Sequence, residues 1–308
     1  MLKIKSIFVL VVSMGLLCLG GVVAGYSPLF AQEFLEDLPQ SKVTRNNQIS
    51  SRENLGPGGI GVSPAPSSLF SQARLRRPVA LVVHDRGGYL FVANRRSGSI
   101  SVIETDQLQV KAEIEVGRAL ADLAALSTFD SPDQLLLALD EEAHQLLVLG
   151  FSSADRPKVQ VLRRLTVSHY PVSVTVSQDR KRGFVASLWS KRLDFIDLSD
   201  PLNPRFVNSL ELPFAPREQV ILPGQKRLVV ADSFAGKLAV VDLELEEIER
   251  VVDLPVHNIR GLAVTADGSQ LLLAQQSINR FAHTSRDDIV WGSLMSNTLA
   301  SLQLDDLL

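Results

Sequence analysis

The sequence predicts an all-β fold, a β-propeller of four-stranded antiparallel blades with about five blades visible and completion of the ring left open. Three observations carry this. The chain repeats itself at steps of 43 to 48 residues. Within each repeat, apolar and polar residues alternate with period two, broken by Gly, Asp, Asn and Pro. No stretch of helical period separates the strands, which removes a parallel α/β arrangement. A sandwich of similar hairpins is the competing all-β architecture, and five in-phase copies argue against it.

The composition fits a large packed core. The 308 residues are 45% hydrophobic and 21% charged, with a net charge of −3. That apolar content excludes a disordered chain, and the scattered 31 Lys and Arg do not form the clustered basic face of a nucleic-acid binder. No nucleic-acid partner is expected. The single cysteine, Cys18, lies in the N-terminal apolar run, so the body has no means of forming a disulfide, a zinc cluster or a covalent c-type haem. No metal or cofactor is therefore predicted.

Residues 1–31 read as an export signal or N-terminal membrane anchor. Lys3 and Lys5 precede Ile7 to Gly25, a run without charge, and Val23-Ala24-Gly25 or Ala31 offers small residues for signal peptidase. A cleaved signal is the preferred reading, and an uncleaved anchor is the only route to a membrane. In either case the body is exported, to the periplasm or beyond. Residues 32–71 read as a flexible linker, rich in Pro, Gly, Ser and Asn without periodicity. Inside it, Gly56-Pro57-Gly58-Gly59-Ile60-Gly61 matches a dinucleotide-binding pattern in letters alone. Ser63-Pro64-Ala65-Pro66 follows and blocks the helix that the pattern requires.

Residues 72–308 form the propeller domain. In the first repeat, Val79 to Val83 is a strand that ends at the turn Asp85-Arg86-Gly87-Gly88. The second strand, Tyr89 to Asn94, carries an alanine, and a polar turn leads to a third, Ser99 to Ile103, and a fourth, Lys111 to Val116. Aligning the second strands places alanines at 93, 138, 186, 231 and 274. A small residue there suits sheets packed face to face. The fifth repeat is interrupted by Gln276 to Asn297 before Thr298 to Leu304 supplies another strand.

Phe91-Val92-Ala93-Asn94, Gly98-Ser99-Ile100-Ser101-Val102-Ile103-Glu104-Thr105 and Val116-Gly117 together resemble one YVTN-type β-propeller repeat. Asn94 to Ser99, Tyr170 to Val174, Pro213 to Arg217 and His257 to Leu262 also look like segments of exported bacterial propellers. Those are often fused to di-haem cytochrome c peroxidase-like domains. The resemblance implies the fold over residues 78–308 and says little about chemistry. No haem motif occurs up to Leu308, so a haem function is not carried over. Two expectations remain open: the chain is a shortened relative, or its electron-transfer partner, a cytochrome-type redox protein, is a separate protein. YVTN-type propellers usually close with seven blades. Five repeats then leave unpaired edges that invite self-association, unless a compact five-bladed ring forms.

Candidate site residues lie in loops, where propellers present their ligands. Between-blade segments carry Arg118, His169, Arg217, His257 and Arg260, which either converge as an anion-binding or docking surface or bond backbone carbonyls at the junctions. Arg95 and Trp189 project from equivalent turns toward a partner. Asn94, Asp140, Asp232 and Gln275 read as turn caps. The insertion offers His283, Arg286, Asp287, Asp288 and Trp291, as a metal or sugar site or as a loop anchored by its tryptophan.

No nucleophile elbow, phosphate loop or zinc-protease spacing occurs, so no catalytic residue is assigned. The leading expectation is a non-enzymatic extracytoplasmic scaffold that docks a protein. The alternatives are an enzyme with a site at the propeller axis, where His169, His257 and Asp288 would gather, and a propeller binding metal or haem without covalent attachment.

Overall fold

The computed structural model describes residues 75–84, 87–126, 134–153, 157–279, 281–290 and 292–307. The export signal, the linker with its glycine-rich match, the turn residues Asp85 and Arg86, and Trp291 lie outside the described residues.

The predicted five-bladed propeller is the fold. Blade 1 is the meander β1 (Pro78–Val83), β2 (Tyr89–Asn94), β3 (Ser99–Glu104) and β4 (Gln109–Glu115). Blade 2 is β5 (Leu120–Ala125), β6 (Gln134–Asp140), β7 (Gln145–Ser152) and β8 (Lys158–Thr166). Blade 3 is β9 (Pro171–Val176), β10 (Arg182–Ser187), β11 (Arg192–Asp197) and β12 (Arg205–Glu211). Blade 4 is β13 (Pro216–Ile221), β14 (Arg227–Asp232), β15 (Lys237–Asp242) and β16 (Glu247–Asp253). Blade 5 has three strands, β17 (His257–Val264), β18 (Gln270–Ile278) and β19 (Met295–Gln303). A short helix, α1 (Arg286–Val290), lies in the β18–β19 connection, and α2 (Leu304–Leu307) follows β19.

The ladders correct one detail of the repeat. In blades 1, 3 and 4 the alanines Ala93, Ala186 and Ala231 stand one residue before the end of the second strand. In blade 2 that place belongs to Leu139, which pairs with Leu146 as Ala93 pairs with Ile100. Ala138 is the partner of Leu147 and lies one register earlier. Because side chains alternate along a strand, this single step puts Ala138 on the opposite face from the other alanines. A run of leucines hides such a slip from sequence alignment.

Four buried clusters fill the four junctions. Phe91, Ala93 and Ile100 of blade 1 meet Leu136, Leu147 and Leu149 of blade 2. Leu137, Leu139, Leu146 and Val148 of blade 2 meet Val185 and Ile196 of blade 3. Phe184 and Phe195 pack on Leu228 and Val230, and Val229 and Leu238 pack on Leu271 and Leu273. His84 is built into the first cluster, its ring 5.6 Å from that of Phe151. The helix α2 adds Leu304 and Leu307 to the last cluster, and Arg250 of β16 donates to the Asp306 and Leu307 carbonyls.

The first strands pack in sequence around the axis, β1 on β5, β5 on β9, β9 on β13 and β13 on β17. No buried cluster of described residues joins blade 5 to blade 1. Leu81 and Val83 of blade 1, and Leu299 of blade 5, are exposed on the two flanks of that gap.

Candidate functional site

One face of the propeller is formed by the turns between second and third strands and by the connections between blades. The two kinds of loop are tied together. Val116 N–H donates to the Gly98 carbonyl at 2.9 Å, and Val167, Leu212 and Leu254 donate to His144, Lys191 and Gly236 in the same way. Gly98 has φ +62°, and a Cβ there would stand 2.1 Å from the Gly117 carbonyl oxygen, so only glycine fits.

The polar residues at the turns act structurally. Asp140 accepts from the Arg118, Ala119 and Ala143 N–H groups, and Asp232 accepts from Phe234 N–H. Asn94 bonds the Ser99 and Ser101 hydroxyls. Gln275 lies inside β18, which runs on to Ile278, so it is not a turn residue.

On this face the structure brings together residues from separate repeats. Trp189 and Phe234 stack with ring centroids 5.7 Å apart, although Trp189 is 59% and Phe234 49% exposed. Tyr170 is exposed nearby in sequence, in the β8–β9 connection. It donates its N–H to His144 Nδ1 at 3.2 Å. The His144 ring lies 4.6 Å from that of His169. At blade 1 a groove of about 480 Å³ is lined by Arg76, Arg77, Arg95, Arg96 and Arg118 with Glu142. Arg76 is paired with Glu113 and Arg95 with Glu141.

A second constellation lies at the axis. A cleft of about 160 Å³ is lined by Val79, Arg95, Ala121, Asp122, Val172, Ser173, Arg217 and Glu218, drawn mostly from the first strands of four blades. Each of these strands starts with a bulge that turns its next residues toward the axis. The register makes Val79, Ala121, Val172 and Arg217 equivalent, and likewise Ala80, Asp122, Ser173 and Glu218.

Both acids are strongly perturbed. Burial pushes the Asp122 carboxyl up to about 6, against the Val174 and Leu123 N–H groups, each 2.8 Å away, that favour its ionised form. Burial raises Glu218 to about 7, the nearby Asp122 charge adds to it, and Arg217 and Arg260 oppose it. The cleft still reaches 33% of the Glu218 side chain, but the surrounding protein keeps bulk water from solvating its charge.

The predicted cations divide between these places. Arg95 and Arg217 reach the axis, with Arg260 close enough to act on Glu218. Arg118 lines the blade 1 groove, and His169 and Trp189 lie in turns of the loop face. The carbonyl-bonding role at the junctions falls to other arginines. Arg164 donates to Val116 O, Arg180 to Ala125 O and Arg182 to Leu243 O.

His257 stands at the start of β17 opposite Gln276. The axial grouping of His169, His257 and Asp288 does not form, because His169 packs on His144 and Asp288 is engaged elsewhere. Ser285 caps α1, its hydroxyl accepting the Asp288 N–H at 3.2 Å and donating to the Asp288 carboxylate at 2.9 Å. Asp288 also accepts from His283 N–H and from the Ser293 hydroxyl, so it folds the insertion. Asp287 is exposed on α1. No group of three metal-ligating side chains occurs among the described residues, and none of their helices is long and apolar enough to cross a membrane.

Asp122 and Glu218 were invisible as a site in the sequence, because they lie in different repeats. The signal that could have found them is a carboxylate two residues after the first residue of both β5 and β13, in β5 as the one charge of an otherwise apolar strand.

No protein-family model matches the chain, and no curated protein matches it. Solved structures share its fold. A hydrazine synthase chain from Kuenenia stuttgartiensis is 19% identical with a TM-score of 0.63, over 78% of this chain and 66% of that one. A functionally unknown protein from Desulfotomaculum acetoxidans is 10% identical with a TM-score of 0.56, over 64% and 65%. A putative 6-phosphogluconolactonase from Bacteroides uniformis is 15% identical with a TM-score of 0.53, over 72% and 70%. This chain thus spans about two thirds of the length of the solved chains it matches. At such identities the likeness is one of fold, and the chain is a β-propeller similar in architecture to these proteins.

Proposed function

We propose that this chain is an extracytoplasmic scaffold of the YVTN-repeat type whose loop face docks a protein partner. The class of partner favoured by the repeat resemblance is a cytochrome-type redox protein. The observation that carries the reading is the exposed Trp189–Phe234 stack, on the same face as the arginine groove of blade 1. Two large rings held rigidly against each other and left in water gain free energy when a partner covers them. Trp, Tyr and Arg are also the residues that dominate binding at protein interfaces. The arginine groove suits an acidic partner surface, which it would steer at low salt. The export reading of residues 1–31 supports the compartment.

The test is purification of the protein from its own cell envelope, beside a Trp189→Ala/Phe234→Ala variant. A partner identified with the wild type is then purified and rebound to both. At least a tenfold loss of affinity is expected for the variant, and Arg96→Glu should slow association and flatten its salt dependence. Equal affinity in the aromatic variant, or recovery of the protein from the cytoplasm, would overturn the proposal.

A further inference from the structure

Independently of the loop face, the axis carries the features of a small-molecule site. Its wall mixes small apolar side chains with polar and charged ones. Equivalent places on the first strands of blades 1, 2 and 3 carry Val79, Ala121 and Val172, and the place on blade 4 carries Arg217. Arg260 adds a second guanidinium from blade 5, near enough to act on both Arg217 and Glu218. Three small apolar side chains therefore sit in a cleft that is otherwise polar, with Arg217 as its cationic contact among the four equivalent places.

The polar side is also unsatisfied. Arg217 Nε is buried without a hydrogen-bond partner, although such donors are almost always matched. It stands 3.8 Å from Glu218 Oε1, too far for a hydrogen bond. Asp122 is different, since both its oxygens already accept backbone N–H groups, one from Leu123 of its own strand and one from Val174, which ties β5 to β9. The cleft, at about 160 Å³, exceeds the roughly 30 Å³ that one water occupies in the liquid.

We infer that the axial cleft binds a small monocarboxylate together with a proton. The ligand's short apolar tail lies against Val79, Ala121 and Val172. One carboxylate oxygen accepts from Arg217, and the other accepts from the protonated carboxyl of Glu218. A second anion beside an ionised Glu218 would be repelled, so the proton is what makes the pocket receptive.

The charged groups facing Glu218 are Asp122 of β5, Arg217 beside it and Arg260 of β17. Arg95 closes the cleft from the β2–β3 turn and brings its own counter-ion, Glu141. With Glu218 held at about 7, its protonated form is common at neutral pH and scarce by pH 8.5.

The probe is propionate, titrated calorimetrically into the full-length protein from about pH 5.5 to 8.5, with sulfate as the comparison anion. Wild-type affinity should fall about tenfold per pH unit above roughly pH 7, as expected when one proton must be bound with the ligand. Glu218→Gln keeps a donor and removes the charge, so its affinity for propionate should stay level from about pH 7 to 8.5, where Asp122 is already ionised and the wild type loses binding. That gain of binding cannot come from misfolding. Arg217→Met should abolish binding while leaving the circular dichroism spectrum unchanged. Absence of propionate binding to the wild type at pH 5.5, pH-independent wild-type affinity, or equal affinity for sulfate would each overturn the inference.

Discussion

The junction between blades 2 and 3 and the gap between blades 5 and 1 are lined by the same kind of strand and end in opposite states. At the junction Leu137, Leu139 and Leu146 are 0% exposed against Val185 and Ile196. At the gap Leu81 is 37% exposed on the blade 1 flank and Leu299 is 73% exposed on the blade 5 flank. Val92 is the counterpart of Val185, each two residues from the end of its second strand. It is half-buried where Val185 is fully covered. An alternating apolar strand therefore specifies a face that is better covered, and the neighbouring blade decides whether it is.

Hydrogen exchange should show the largest contrast. The β6 amides, paired on both sides, should exchange only through global opening, which for a domain corresponds to about 5–15 kcal/mol. Alternate amides of β19 face away from β18 with no fourth strand beside them among the described residues, and should exchange with opening energies near zero. Slow exchange throughout β19 would show that this edge is paired in solution.

Truncation comes next. Leu137→Ala should cost about 2–5 kcal/mol in urea unfolding, from lost burial and the cavity left behind. Leu299→Ala on the open flank should change stability by less than about 0.5 kcal/mol. Equal and concentration-dependent costs would mean that a second copy of the chain covers the flank, as the unpaired edges led the sequence to suggest.

A polar clasp should matter somewhat less. Asp194, fully buried in β11, accepts from Ser168 N–H and Oγ at 2.7 Å each and from Ser209 Oγ at 2.6 Å. Asp194→Ala strands those donors at the entry to blade 3 and should cost about 1–3 kcal/mol.

The smallest effect is a pH dependence from the axis. Glu218 and Asp122 bind protons more tightly folded than unfolded. Between their ordinary values, 4.5 and 3.8, and their folded values, about 7 and about 6, the folded state keeps protons that the unfolded chain has released. Stability should therefore fall as pH rises through this window and level off above it. Glu218→Gln should remove the upper part of the fall, and water in the cleft keeps the effect modest. A wild-type stability that rises from pH 5 to 7, by the same amount in Glu218→Gln, would show that the axis is fully solvated.

The fold was legible because its signal is local and repeated five times. Period-two alternation and turn residues such as Gly98 and Asp140 act within a few residues of chain. The slip at Ala138 was not legible, since one leucine in a row of leucines carries no register of its own. The site was only half legible. Arg217 and Arg260 stood out as charges in matching between-blade segments and Arg95 as a charge in a turn, whereas nothing singled out Asp122 and Glu218 near their strand starts. Asp287 and Asp288 looked like ligands because adjacent carboxylates do. The capping of Asp288 by Ser285 appears only once the insertion is folded.

By itself the sequence determined the strands, their alternation and the number of blades, because each follows from contacts between residues close along the chain. Only the tertiary structure decided which apolar faces are covered, which arginines reach the axis, and that Asp122 and Glu218 share one cleft. Burial and charge–charge energies depend on distance in space, and these residues, nearly a hundred apart in sequence, meet only when the blades are set around a common axis.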